Sequence, residues 1–438
     1  MKKKIGLYWF TNDLRIKDNP ALKKAAQSVD VLLCLYCYPP ISPFLKHYSQ
    51  QNSFGAAKKQ FLDESLFNLS ISLKGLNQEL VIVDQNPLEA LRLSIENCQI
   101  SHIFCSQIAG SDERRVLDII QDQHPEVVIE HVNNHALFEA EQLPFELESL
   151  PATFTRFRNK VEKRTIEAPS GDLNSLPPPL QFTPFDSQDI QVRDARTDFK
   201  GGEQAGLKHC SDYLTQKHAS TYKQTRNGLS GMDYSTKFSP WLAHGCVSVR
   251  CLYTMLKAYE EQNGANDSTY WIYFELLWRE YFYWYARCHD KKLFFFSGIT
   301  GQAPLTTFYS QRFKSWQSGQ TPFPIVNACM NQLNETGYMS NRGRQLVASC
   351  LIHELGIDWR YGAAYFESQL IDYDVGSNWG NWQYLGGVGA DPRGSRRFDL
   401  QKQTEIYDPF GDFIEEWGGN NKITQVDAVD MVDWPLSK

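Results

Sequence analysis

The sequence has no run of the roughly 18 apolar residues that a membrane span needs, so a membrane role is not expected. Nor does its start, Met1-Lys2-Lys3-Lys4-Ile5-Gly6-Leu7-Tyr8-Trp9-Phe10, hold the apolar stretch of a secretory signal, because Asp13 and Arg15 arrive too early. A cytoplasmic location is the expectation. Positive charge is not in excess: 44 Lys and Arg stand against 51 Asp and Glu, a net −7. That excludes a uniformly basic nucleic-acid coat but leaves room for a local basic groove. The ten cysteines are scattered. One C-x-x-C, Cys34 and Cys37, lies inside an apolar run with no second pair or histidine set beside it, so no metal site is expected and the thiols read as buried. After the first strand come Thr11-Asn12-Asp13-Leu14-Arg15, not G-x-G-x-x-G, which counts against a nicotinamide dehydrogenase. No repeat or low-complexity segment is evident.

What the chain does have is length and aromatic mass. Its 438 residues are enough for about two to three domains. Its 11 Trp, 21 Tyr and 26 Phe, crowded into the second half, suit either a bulky core or a pocket around something flat. Strand patterns at 4–10, 31–37, 79–83, 101–105 and 126–132 alternate with helical ones from Pro20 and near 55–74, 87–95 and 112–121. This rhythm predicts a parallel sheet covered on both faces, an α/β Rossmann-like domain at 1–135. Around 165–200 the prolines 169, 177, 178, 179 and 184 mark a linker, and the whole connection is placed at 136–202. Helical patterns then dominate at 203–218, 241–261, 269–289, 324–336, 341–355 and 358–370, giving a mainly α-helical domain over 203–438.

The helical half carries four separated motifs. They are Glu275-Leu276-Leu277-Trp278-Arg279-Glu280, Gly337-Tyr338-Met339-Ser340-Asn341-Arg342-Gly343-Arg344, Asp358-Trp359-Arg360, and Asp372 through Tyr384 with Asn378-Trp379-Gly380-Asn381-Trp382 inside it. Their order and spacing resemble the photolyase/cryptochrome family over about residues 4–415. The opening Trp9–Arg15 is similar too, with Thr11 where Arg is common. Tyr222-Lys223-Gln224-Thr225-Arg226-Asn227, Gln345 and Gly389-Ala390-Asp391-Pro392-Arg393 are most similar to the cryptochrome DASH branch.

The resemblance implies a two-domain flavoprotein that holds FAD in a folded form and uses blue or near-ultraviolet light to split cyclobutane pyrimidine dimers, chiefly in single-stranded DNA. It implies that Tyr222, Ser235, Thr236, Phe238, Ser239, Arg279, Arg344, Asp372, Asp374 and Asn378 contact FAD. Within that set Arg344 is paired with Asp372, and Asn378 faces the flavin N5. For the damaged DNA it implies Trp278 and Tyr384 as aromatic walls, Glu275, Asn341 and Gln345 as polar contacts, and Arg226, Arg342, Arg393, Arg396 and Arg397 as phosphate ligands. The stretch Arg156–Lys160 reads equally as a phosphate contact or a solvated face. Extrusion of a dimer that has lost stacking is cheaper than extrusion of intact bases. Trp382 and Trp359 match the inner members of an electron-transfer chain whose outer member is unclear; Phe308 sits in the rough neighbourhood, and Trp316 or a nearby tyrosine could stand in. The α/β domain resembles one that carries a second chromophore, often 5,10-methenyltetrahydrofolate. The glutamate usual in the loop 106–113 looks displaced, which leaves Gln107 as the candidate contact.

Without the resemblance, the same Asp and Asn residues are turn formers between helices, and Ser235–Pro240 is an ordinary helix start. Two other functions stay open. A blue-light receptor that binds DNA, RNA or a regulatory protein would keep the flavin and the tryptophans. A light-independent α/β nucleotide binder would need neither. A monomer acting on single-stranded or locally unpaired DNA is expected, with duplex DNA or RNA as further partners.

Overall fold

The computed structural model describes residues 3–188, 190, 198–390, 394 and 396–420. Five strands, β1 (Ile5–Phe10), β2 (Val31–Cys37), β3 (Leu80–Val83), β4 (His102–Ser106) and β5 (Val128–Val132), form one sheet in the order β3-β2-β1-β4-β5. All four pairings are parallel, as the runs of apolar residues require when both faces are covered.

Alternation along the strands divides the interior. Leu7 and Trp9 of β1 and Leu33, Leu35 and Cys37 of β2 face a small core confined to the α/β half. Tyr8, Phe10, Leu32, Cys34 and Tyr36 face the large core, which runs on without a break into the helical half. Cys34 and Cys37 therefore belong to opposite faces of the sheet, so the C-x-x-C can neither chelate nor form a disulfide.

Helices follow the expected segments with shifts at their ends. The pattern at 241–261 is two helices, Ser239–Ala243 and Val249–Asn263. Gly245 lies between them at φ 62, where the chain passes so close to Asn12 that no Cβ would fit. The stretch 341–355 is the helix Asn341–Ser349 followed by a wider turn at Cys350–Glu354. Helices at Pro43–Ser49 and Phe154–Val161 had no clear pattern in the sequence. The second lies inside the expected linker, yet it buries Phe154, Phe157 and Val161. Further along, the connection lies against the sheet edge, where Leu32 N–H donates to the Pro178 carbonyl at 3.1 Å and Gln188 N–H to that of Ile82 at 2.9 Å.

Buried charges tie the two halves together. The Arg15 guanidinium, 1% exposed, donates to the carbonyls of Lys17, Asp18, Asn134 and Gly245. Glu203 accepts the Ile16 and Lys17 amides, and Glu280 accepts those of Leu137 and Phe138 and the Trp284 indole. Burial pushes the Glu280 carboxyl up to about 7, against the opposing pull of these donors.

Candidate functional site

Three helices supply most of the functional side chains. The longest, Asp267–His289, starts at a capping box in which Asn266 accepts from Ser268 and Thr269 while the Thr269 hydroxyl accepts from the Asn266 amide. It carries Glu275, Trp278 and Arg279. The helix Val375–Leu385 packs directly on it because Gly376 and Gly380 have no Cβ to strike the Phe282 carbonyl and ring. The helix Asn341–Ser349, capped by Ser340, presents Arg344 from the third side.

Between them lies a cleft with about 700 Å³ of unfilled space, its open mouth included. Phe238, Leu242, Ala243, Ile272 and Leu276 give it apolar walls, and Glu275, Arg279, Arg344, Asp372 and Asp374 give it a charged margin. Tyr222, Thr236, Ser239 and Ser377 add hydroxyls. Arg344 Nη2 donates to both Asp372 oxygens at 3.0 and 2.8 Å, and the Ser239 hydroxyl donates to Asp372 at 2.6 Å. Asp374 caps its helix by accepting the Ser377 amide at 2.7 Å while also lining the cleft. Asn378 Nδ2 donates to the Ala363 carbonyl at 2.9 Å, which fixes the amide plane. Arg279 is held by the carbonyls of His135 and Leu242. Ser235 hydrogen-bonds Tyr338, and His209 Nε2 lies 2.9 Å from the Thr236 carbonyl.

Glu275 belongs to both the cleft and the face above it. Its Oε1 is 2.7 Å from Arg226 Nη1, an ion pair at the edge of the cleft. Burial raises its carboxyl above the usual range, opposed by the guanidinium. A flat apolar slot with a charged margin fits a flavin dinucleotide.

Above the cleft, Trp278 and Tyr384 meet edge to face at 6.2 Å. One face of Trp278 is already covered by Phe154, stacked at 3.8 Å and 12°. The arginines here are all engaged. Arg226 lies over Trp271 as well as beside Glu275, and Arg342 reaches Gln403, Asn227 and the Tyr407 ring. Arg396 stacks on Tyr384 at 4.6 Å, and Arg397 pairs with Glu354 through two bonds of 3.0 and 3.1 Å. Asn341 is exposed and Gln345 half-buried on one helix face. Arg393 lies outside the described residues. Of the Arg156–Lys160 stretch, Arg158 is paired with Glu162 at 3.3 Å and lies over Phe274, while Arg156 and Lys160 are exposed.

Trp382 and Trp359 are both buried, the first against Trp316 and Phe366, the second against Trp379. Gln107 extends the pairing of β4 with β5, and its carbonyl accepts from the Tyr283 hydroxyl at 3.0 Å, outside the cleft.

Sequence reasoning missed three contributors. Lys58 is buried beside the cleft, its Nζ over the Tyr373 ring at 4.5 Å, and burial pulls its ammonium down to about 8 against the opposing charges of Glu367 and Asp372. His244, held down at about 4 chiefly by burial, lies next to the same carboxylate. Phe154 had no signal because its helix sits among linker-like residues.

Two family models match the chain: DNA photolyase over residues 6–179 and the FAD binding domain of DNA photolyase over 271–430. A cryptochrome DASH of Vibrio parahaemolyticus is 57% identical over 437 residues, covering 100% of this chain and 98% of the relative. The crystal structure of a Synechocystis sp. PCC6803 cryptochrome is similar at a TM-score of 0.87 and 37% identity, covering 98% of this chain and 91% of that one. A class III photolyase from Agrobacterium tumefaciens is similar at 0.79 and 25%, covering 95% and 87%.

Proposed function

Because this chain belongs to the cryptochrome DASH branch of the photolyase/cryptochrome family, we propose that it repairs cyclobutane pyrimidine dimers in single-stranded DNA with light. The observation that carries the reading is the cleft itself, with Glu275 in its lining and ion-paired to Arg226. Bound in its reduced form, FAD supplies the light absorption and the electron that splits the cyclobutane ring.

The chain's own residues do the rest. Arg344, Asp372 and Ser239 form a preset charge pair along the polar margin, so no reorganisation is needed when charge moves. Asp374 and the oriented Asn378 amide offer acceptor and amide edges for a flat heterocycle. Thr236 and the backbone around Phe238 and Ser239 would hold the phosphate end. Glu275 accepts from the pyrimidine dimer, and Trp278, backed by Phe154, forms one aromatic wall with Tyr384 edge-on to it. Arg226, Arg342, Arg396 and Arg397 steady the backbone without reading base sequence. Trp382 and Trp359 are the buried rings that would pass an electron to the bound cofactor. A folate antenna in the α/β half, with Gln107 as its contact, and a monomeric cytoplasmic protein complete the reading. No described helix is long and apolar enough to cross a membrane.

The test is repair of a thymine dimer in single-stranded and duplex oligonucleotides by chemically reduced protein under blue light, against a dark control. Light-dependent repair of the single strand, weak on the duplex, is expected. Bound flavin with repair of neither would make the protein a receptor that keeps the pocket for binding alone.

A further inference from the structure

The place where an outer electron donor is sought holds Phe308, which lies flat on Tyr361 at 4.1 Å and 13°. A phenylalanine is too hard to oxidise to serve. Two tyrosines of this ring cluster stand next to Trp316 or one ring away from it. Trp316, which meets Trp382 at 6.3 Å, touches Tyr365 at 5.7 Å and Phe313 at 5.9 Å; Phe313 in turn touches Tyr361 at 5.5 Å. By ring distance alone Tyr365 is nearer.

Proton chemistry reverses that order. An oxidised tyrosine must shed its phenolic proton, so the donor needs a base. The Tyr365 hydroxyl donates to Asn334 Oδ1 at 2.6 Å, and an amide oxygen cannot keep a proton at neutral pH. Trp316 is no better placed, since it is fully buried and its indole N–H ends on the Val347 carbonyl at 2.9 Å. A positive charge left there would be desolvated and unpaired, which drives it onward. The Tyr361 hydroxyl lies 3.5 Å from Nε2 of His47, whose ring is exposed and can pass a proton to water. Tyr48 closes the group at 5.0 Å from Tyr361, with Arg360 over its far side.

We infer that Tyr361, with His47 as its proton acceptor, is the outer electron donor of this protein. The inference rests on the flavin site proposed above. The step balances: Trp382, having lost one electron on excitation of the bound flavin, is refilled by Trp316, on a branch alongside Trp359. Tyr361 then gives one electron to Trp316 and its phenolic proton to Nε2 of His47. A thiol in solution returns an electron and a proton to the tyrosyl radical.

Time-resolved absorption and electron paramagnetic resonance of the flavin-loaded protein, with ordinary and ring-deuterated tyrosine, test this. A neutral tyrosyl radical is expected. It should vanish in Tyr361→Phe, with thiol-supported photoreduction slowed about tenfold, and persist in Tyr365→Phe. His47→Gln, at an exposed site that does not threaten folding, should slow its formation and remove its solvent deuterium isotope effect. A tyrosyl radical that survives in Tyr361→Phe, one lost in Tyr365→Phe, or a tryptophan radical alone in the unaltered protein would overturn the assignment. Bound flavin and repair with a tryptophan radical alone would overturn it without touching the proposed function; absence of flavin would overturn both.

Discussion

The flavin cleft and the face above it both gather charge, but they hold it differently. In the cleft, each polar group is fixed by a neighbour that belongs to the fold: Asp372 by Arg344 and Ser239, Asp374 by its helix, Asn378 by a carbonyl. On the outer face, the arginines lean on rings and on partners that a phosphate could replace, as with Arg396 on Tyr384 and Arg397 on Glu354. A preset interior costs little when the cofactor's charge changes. A loosely held exterior costs little to rearrange when a flexible strand arrives, because exposed pairs are each worth about 0–1 kcal/mol.

The largest effect should come from breaking the interior. Asp372→Ala leaves Arg344 without its counter-charge and removes the acceptor of Ser239, at a cost of about 3 kcal/mol. We expect a lower Tm and loss of flavin absorbance on gel filtration. Retention of flavin at the level of the unaltered protein would mean that the interior is not preset. Glu275 sits where the two regions meet, and its loss should separate them. Glu275→Ala should keep bound flavin and lower repair yield by on the order of tenfold or more. Loss of flavin in that variant would place Glu275 wholly in the cleft.

The frame of the molecule was legible in the sequence because apolar periodicity and the prolines near 177–184 act locally. Glu275, Asp372 and Asp374 sit in continuous motifs, and the structure brings the three into one cleft. What could not be read was partnership across distance. Nothing in Arg226-Asn227 says that the guanidinium meets Glu275, and nothing in Thr153-Phe154 says that this ring covers Trp278. The break in the pattern 241–261 was hidden for the same reason, since it is imposed by the approach of Asn12 to Gly245. The role of Glu280 was missed although it stands in a quoted motif, because its partners, the amides of Leu137 and Phe138, come from the connection between the two halves.

Glu280 offers a pH test of the interior. Its carboxyl is raised from an ordinary value of 4.5 to about 7, so the folded state takes up a proton that the unfolded chain does not hold. Its contribution to stability is therefore greatest at the acid end of that window and is lost as pH rises through about 7. His244 runs the other way: held at about 4 against an ordinary 6.5, it favours folding more as pH rises through that window. The difference between unaltered protein and Glu280→Gln isolates the first of these. Melting temperatures across the window should show that the variant gains relative to the unaltered protein as pH rises. Parallel curves would mean that Glu280 titrates normally in the fold.

The smallest effect is reserved for the outer face. The Arg397 side chain is 67% exposed and is held by Glu354. If it meets a phosphate, it exchanges one screened partner for another, and the net gain comes from released counterions. Arg397→Ala should weaken single-strand binding by a similar factor for every sequence and reduce the slope of log affinity against log salt by about 0.7. Repair at saturating substrate should hold, because the variant removes steadying contact and leaves the cleft as it was. A change in salt slope near zero would put Arg397 on the solvated side of the molecule, and the face above the cleft would then end at Arg396, stacked on the wall residue Tyr384.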